Sequence, residues 1–130
     1  MLIRVLLTNK APEIHTDHLR ELIDKMLWKI TEADGKYKTR YQSLGAMQGS
    51  SPVLKHDHVF TKKTLIDALL KAEPKQVEEI LSNAVGCTVT REEHERLTRY
   101  DRECEGWERY RRAKVAVQDT ETGEWKVNVD

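Results

Sequence analysis

The sequence predicts a single α+β domain in which amphipathic helices pack with short strands and a β-hairpin lies near the C-terminus. Apolar residues recur at helical spacing between residues 16 and 33. Apolar and polar residues alternate on both sides of a glycine-containing turn at residues 115–129. The length of 130 residues is that of one ordinary domain. We therefore predict that residues 1–130 form one domain.

The clearest predicted helix covers residues 16–33. Thr16 is a favourable N-cap, and Gly35 can take the left-handed position that ends a helix. Its predicted apolar stripe consists of Leu19, Leu22, Ile23, Met26, Leu27 and Ile30. Shorter helices are expected at residues 37–44, after the N-cap Thr61 and after Pro74. We expect the first helix to pack on a core of Leu65, Ile66, Leu69, Val85, Val89 and Leu97.

Short apolar or β-branched runs predict the strands. Residues 2–7 favour a buried strand or an extended arm, and residues 84–89 favour a strand by their β-branched content. We expect residues 115–117 to pair with residues 125–129, with Trp125 covering part of the core or an interface.

A charged helix is predicted over residues 91–112. Thr90 and Glu93 have the spacing of a capping box, and Gly106 is expected to break or kink the helix. Its interleaved arginines and glutamates are typical of a solvated, ion-paired face. The best candidates for contacts with nucleic-acid phosphates are Lys62, Lys63, Arg109, Arg111 and Arg112.

Charge and cysteine content limit the classes of function. The chain has 22 basic and 22 acidic side chains, so it lacks the overall positive field that drives non-specific binding to a polyanion. No stretch approaches the ~20 apolar residues of a membrane span, so no membrane partner is expected. Cys87 and Cys104 form neither a disulfide framework nor a four-cysteine zinc site. These features predict a cytoplasmic protein with reduced thiols.

Histidine and acidic residues gather in two places. His56, Asp57 and His58 fall in a short predicted strand, and His94 falls in the first turn of the helix that Thr90 opens. Imidazole and carboxylate groups together suit a divalent cation such as Mg, Mn, Ni or Zn. The alternative is that these histidines have structural or vestigial roles, bonding nearby backbone groups.

The order Asp57-His58, then Asn83, then Glu93-His94 resembles the HNH, or ββα-metal, endonuclease motif. The resemblance covers residues 54–98, with a helical insertion between its first two parts. It implies that His58 is the general base that activates water and that Asn83 orients this base. It further implies that Asp57 and His94 hold one divalent metal, for which His56 is a further candidate ligand.

Two functions follow as expectations. The first is a divergent HNH-like, metal-dependent nuclease domain acting on phosphodiesters of nucleic acid, in which Asp57, His58, Asn83 and His94 converge on one concave surface. The second is a non-enzymatic module, such as a small regulator or inhibitor, that docks on a protein partner and needs no cofactor. A homo-oligomer is compatible with either function.

Overall fold

A computed structural model describes residues 16–33 and 35–129, and it confirms the predicted α+β fold. The strand expected at residues 2–7 lies outside the described residues. The helices are α1 Thr16–Thr31, α2 Leu44–Gln48, α3 Lys62–Lys71, α4 Val77–Leu81, α5 Arg91–Thr98 and α6 Trp107–Arg112, with a 3₁₀ turn at Pro74–Gln76. The strands are β1 Tyr41–Ser43, β2 Leu54–His58, β3 Gly86–Thr90, β4 Val117–Asp119 and β5 Trp125–Val127.

The five strands form one mixed sheet in the order β2-β3-β1-β4-β5. β1 runs parallel to β3, and every other neighbouring pair is antiparallel. β2 pairs with β3 from Leu54 opposite Thr90 to His58 opposite Gly86. The strand that carries His56-Asp57-His58 therefore lies at an edge of the sheet.

The apolar interior is divided into two clusters. One cluster is formed by α1, α3 and α4, and it consists of Leu19, Ile23, Leu27, Leu65, Ile66, Leu69, Val77 and Leu81. The other lies between the sheet and the helices α5 and α6, and it includes Cys87, Val89, Leu97, Tyr110, Val115, Val117 and Val127.

The expectation of one core beneath the first helix is corrected by this division. Leu65, Ile66 and Leu69 do pack against α1, whereas Val89 and Leu97 belong to the other cluster and Val85 lies at its margin. The reason is that the sheet separates the elements that α1 contacts from those that follow β3.

The predicted helix at residues 37–44 is wrong. Tyr41 and Gln42 instead pair with β3 on one side and β4 on the other, which places β1 inside the sheet. The helix begins only at Leu44, because the Ser43 hydroxyl accepts a hydrogen bond from the Ala46 N–H and caps it.

The charged segment from residue 91 to 112 forms two helices rather than one. The capping box is present, with the Thr90 N–H donating to Glu93 at 2.8 Å and the Glu93 N–H donating to the Thr90 hydroxyl at 3.2 Å. Gly106 has a φ of 68°, a conformation that favours glycine, and α6 begins at the next residue. The predicted helix is therefore broken, but it ends at Thr98 and not at Gly106, which instead precedes α6.

The C-terminal hairpin is present, but its pairing is shifted from the predicted register. Val117 pairs with Val127 and Gln118 with Trp125, with Gly123 in the turn at a φ of 78°. Val127 is buried, whereas 44% of the Trp125 surface is exposed. The side chain that joins this strand to the core is thus Val127 and not Trp125.

None of the helices in residues 16–33 and 35–129 has both the length and the apolar character needed to cross a bilayer.

Candidate functional site

β2 sends its histidines to one face of the sheet and its aspartate to the other, as the two-residue period of a strand requires. The His56 and His58 rings lie 5.0 Å apart, and each packs against the Trp28 ring of α1 at about 5 Å. Asp57 is buried on the opposite face, toward α6. The strand therefore connects two different environments at one edge of the sheet.

A short chain of hydrogen bonds holds His56. The Thr31 hydroxyl donates to the Trp28 carbonyl at 2.9 Å and also lies 2.9 Å from His56 Nε2. Because the hydroxyl proton is used toward Trp28, His56 Nε2 is the donor in the second bond. Its Nδ1 is buried without a hydrogen-bond partner among the described residues. Gly86 makes room for this ring, since a Cβ there would lie 2.5 Å from His56 Cε1.

Asp57 is fixed from two sides by α6. The Arg109 guanidinium donates to Oδ1 and the Tyr110 hydroxyl donates to Oδ2. Arg109 is itself only 2% exposed in its side chain, and its Nη1 also donates to the His58 carbonyl at 3.2 Å. Burial acts to lower the pKa of Arg109, but Asp57, Tyr110 and Asp101 together outweigh it and the pKa is raised. The Arg109 guanidinium is therefore charged and held in place within the protein.

His94 completes this arrangement from the first turns of α5. Its Nδ1 lies 3.4 Å from Asp57 Oδ1, and its side chain is 34% exposed. This nitrogen is buried and has no hydrogen-bond partner among the described residues, so Asp57 lies beside the ring without bonding to it. Asp57 and His94 are therefore neighbours in space, and His94 is the more accessible of the two to solvent.

The histidines from both faces meet in a cavity of about 220 Å³ beyond the edge of β2. It is lined by His56, Asp57, His58, Thr61, Lys62, His94, Thr98, Asp101 and Arg109. Burial, with smaller contributions from His56 and Lys62, lowers the pKa of His58 to about 4. Burial also lowers the pKa of His56, and it raises the pKa of Asp101. The histidines of β2 are therefore uncharged near neutral pH.

The low pKa of His58 predicts a loss of stability on acidification. The unfolded chain takes up a proton near pH 6.5 and the folded chain only near pH 4, so stability is full above pH 6.5 and falls as the pH drops toward 4. Between pH 7 and pH 5 we expect a loss of about 1–2 kcal/mol from His58, measured by urea denaturation. Asp57 and Asp24 favour protonation of His58, and His56 and Lys62 oppose it.

A matched variant isolates this effect. His58→Phe keeps an aromatic ring against Trp28 but cannot titrate, so its stability should change less between pH 7 and pH 5. The same pH dependence in wild type and His58→Phe would contradict the assignment to this residue.

The structure brings together Asp57, His58 and His94 but places Asn83 elsewhere. Asn83 is exposed in the turn after α4, and it is not among the residues lining the cavity. Its backbone carbonyl accepts from the Val85 N–H at 2.9 Å, which belongs to the turn entering β3.

The basic residues expected to contact phosphates have different surroundings. Lys62 lines the cavity and pairs with Asp24 at 3.0 Å, and Lys63 pairs with Asp67 at 3.2 Å. Arg111 and Arg112 lie near acidic side chains of their own region at 3.4–3.8 Å. Arg109 is buried beside Asp57, so it acts inside the protein rather than on its surface.

Sequence reasoning missed Trp28, Tyr110 and Asp101. Tyr110 and Asp101 lie near Arg109 in the chain, but nothing in their spacing indicates which acidic or basic group they meet. Trp28 lies on α1 at the margin of its apolar stripe, where an aromatic residue is ordinary. Cys87 is fully buried, and burial raises its pKa well above the usual range, which disfavours a reactive thiolate.

The residues present do not fit the divalent metal that the HNH resemblance implies. Both oxygens of Asp57 are already engaged by Arg109 and Tyr110, and the adjacent guanidinium opposes a second cation. Over the part of the chain that the structure describes, no three His, Cys, Asp or Glu side chains lie where they could hold one metal ion.

Comparisons with protein-family models, with curated proteins and with solved structures found no match.

Proposed function

We propose that the cavity is an acid–base site that cleaves phosphodiester bonds of nucleic acid. The observation that carries the proposal is the position of the partly exposed His94, whose Nδ1 lies 3.4 Å from the fixed Asp57 carboxylate, in a cavity that a second histidine also lines. Two imidazoles in one cavity can take a proton from an attacking oxygen and give one to a leaving oxygen. The proposal keeps the phosphodiester chemistry of the HNH resemblance and assigns it to the protein's own side chains.

The surroundings of the two histidines suit different roles. His94 is assigned as the general acid, because its side chain is partly exposed to the cavity and lies 3.4 Å from the fixed Asp57 carboxylate. His58 is the general base, because burial favours its neutral form. Asp57 is a positioning residue, and Arg109 and Tyr110 act through it by holding the carboxylate in place.

The charge of the cavity is compatible with a phosphate. Among the lining residues, Lys62 and Arg109 offset Asp57 and Asp101, so a proton on His94 leaves one net positive charge. Part of the Lys62 charge is also offset by Asp24. Lys62 is the side chain best placed to contact a phosphate oxygen, since Arg109 is committed to Asp57.

The test is cleavage of fluorescently labelled single-stranded RNA, single-stranded DNA and duplex DNA by the full chain. Reactions contain either EDTA or one of Mg, Mn, Ni and Zn. We expect cleavage of at least one substrate in EDTA and a loss of about 10²–10⁴-fold in rate for His94→Gln, the range of general acid–base catalysis. His18→Gln, which changes an exposed histidine of α1, is the matched control and should cleave at the wild-type rate.

Three results would overturn the proposal. They are intact substrates under every condition, an unchanged rate for folded His94→Gln, and cleavage that occurs only with an added metal. The last result would return Asp57 and His94 to the metal-binding role of the HNH resemblance. The first would favour the alternative function of a protein-binding module.

A further inference from the structure

The histidines that line the cavity can donate and accept protons, but neither hydroxyl group in its lining is free to attack phosphorus. The Thr61 hydroxyl lies within hydrogen-bond distance of two acceptors, the Thr64 hydroxyl at 3.0 Å and the Glu105 carboxylate at 3.1 Å. The Thr98 hydroxyl donates to the Glu95 carbonyl at 2.8 Å. Both hydroxyl groups that line the cavity are thus committed to local bonds, and the nucleophile must come from water or from the substrate itself.

The charge pattern favours a nucleophile from the substrate. A water molecule that attacks an anionic phosphodiester must be both held and activated. Of the two carboxylates that line the cavity, Asp57 is already shared by Arg109 and Tyr110, and Asp101 lies 3.4 Å from Arg109 Nε. A hydroxyl attached to the same sugar as the phosphate is already next to phosphorus. Such intramolecular attack has effective molarities of about 10⁵–10⁸ M, which removes the need to bind a separate water.

The volume of the cavity and the aromatic ring beside it favour a single-stranded nucleic acid as substrate. A volume of about 220 Å³ admits a phosphate and its adjoining sugar but is too small for a base pair within a duplex. The Trp28 ring, which is 37% exposed, packs against His56 and His58 and has the Lys62 ammonium 5.0 Å from its centroid. An unpaired base that displaced Lys62 could stack on this ring while the ammonium contacts the phosphate.

We infer that the substrate is single-stranded RNA, cleaved by its own ribose 2′-hydroxyl. The inference rests on the proposed function, and its grounds are the bonded hydroxyls of Thr61 and Thr98, the engaged carboxylate of Asp57 and the small cavity. The 2′-hydroxyl gives its proton to His58 as the 2′-oxygen bonds to phosphorus. The bond from phosphorus to the 5′-oxygen breaks, and that oxygen takes a proton from His94. The products are a 2′,3′-cyclic phosphate and a free 5′-hydroxyl, and no co-reactant is consumed. Proton exchange with water restores both histidines.

The test uses a single-stranded DNA oligonucleotide that contains one ribonucleotide, beside the same oligonucleotide with that position deoxy or 2′-O-methyl. We expect the full chain to cut only the first, directly after the ribonucleotide, with a rate at least 10³-fold above that of the other two. Mass spectrometry should show a 2′,3′-cyclic phosphate, and His94→Gln but not His18→Gln should abolish the product.

Failure of this inference can be told from failure of the proposed function. Cleavage of the deoxy strand, or products that carry a 5′-phosphate, would overturn the RNA assignment while phosphodiester cleavage stands. An uncut ribonucleotide strand together with uncut duplex and single-stranded DNA would overturn both.

Discussion

Arg109→Met should destabilise the folded protein by about 3–5 kcal/mol, because it leaves the buried Asp57 carboxylate without its compensating charge. This is a large part of the 5–15 kcal/mol that stabilises a typical domain. The change also removes the Nη1 donor to the His58 carbonyl, so the end of β2 loses a second contact. The free energy of unfolding should be measured by urea denaturation at pH 7.

Two controls separate this effect from a general weakening of α6. Arg111→Met lies on the same helix, where the arginine is half exposed and pairs with Glu108 at 3.6 Å, and it should change stability by less than about 0.5 kcal/mol. The double variant Asp57→Asn with Arg109→Met removes the unpaired charge and should regain at least half of the loss. A loss below about 1 kcal/mol in Arg109→Met would contradict a buried, mutually dependent pair.

Ile23→Asp should prevent cooperative folding, whereas Leu22→Asp should leave the domain folded. Ile23 of α1 is fully buried against α3 and α4, whereas Leu22 of the same helix is 41% exposed. An unpaired carboxylate in an apolar cluster costs far more than one in water. Circular dichroism and thermal melting of the two variants should therefore give opposite results.

Leu69→Asp provides a second measurement from another helix. Leu69 of α3 packs in the same cluster as Ile23, so this variant should also lose its cooperative transition. A cooperative, wild-type melt for Ile23→Asp, or an unfolded Leu22→Asp, would show that α1 is rotated from the orientation described.

Features set by neighbouring residues could be predicted from the sequence. The capping box of Thr90 and Glu93 and the short strand that carries His56-Asp57-His58 were both predicted, and the structure confirms them. Each depends on contacts or conformations within a few residues, where spacing alone fixes the geometry.

The register of α1 shows where periodicity stops being sufficient. Leu22 and Ile23 both match the helical period of the apolar stripe, yet only Ile23 is buried. An apolar face wider than the contact area leaves more than one residue as a candidate, and the position of α3 decides which of them is covered.

The candidate site was predictable in part. The sequence indicated Asp57, His58 and His94 as one group, and the structure places all three on one cavity. It did not indicate that Asp57 is bound by Arg109 and Tyr110, which lie 52 and 53 residues further along the chain. Many basic residues in the sequence could have been that partner.

The sequence by itself determined the α+β class, the helix caps and the gathering of histidines, because these follow from local spacing and from residue type. Only the tertiary structure decided that the sheet separates two apolar clusters and that α6 lies across the buried face of β2. That packing engages both oxygens of Asp57 with Arg109 and Tyr110, because a carboxylate buried away from water is stable only where donors compensate it.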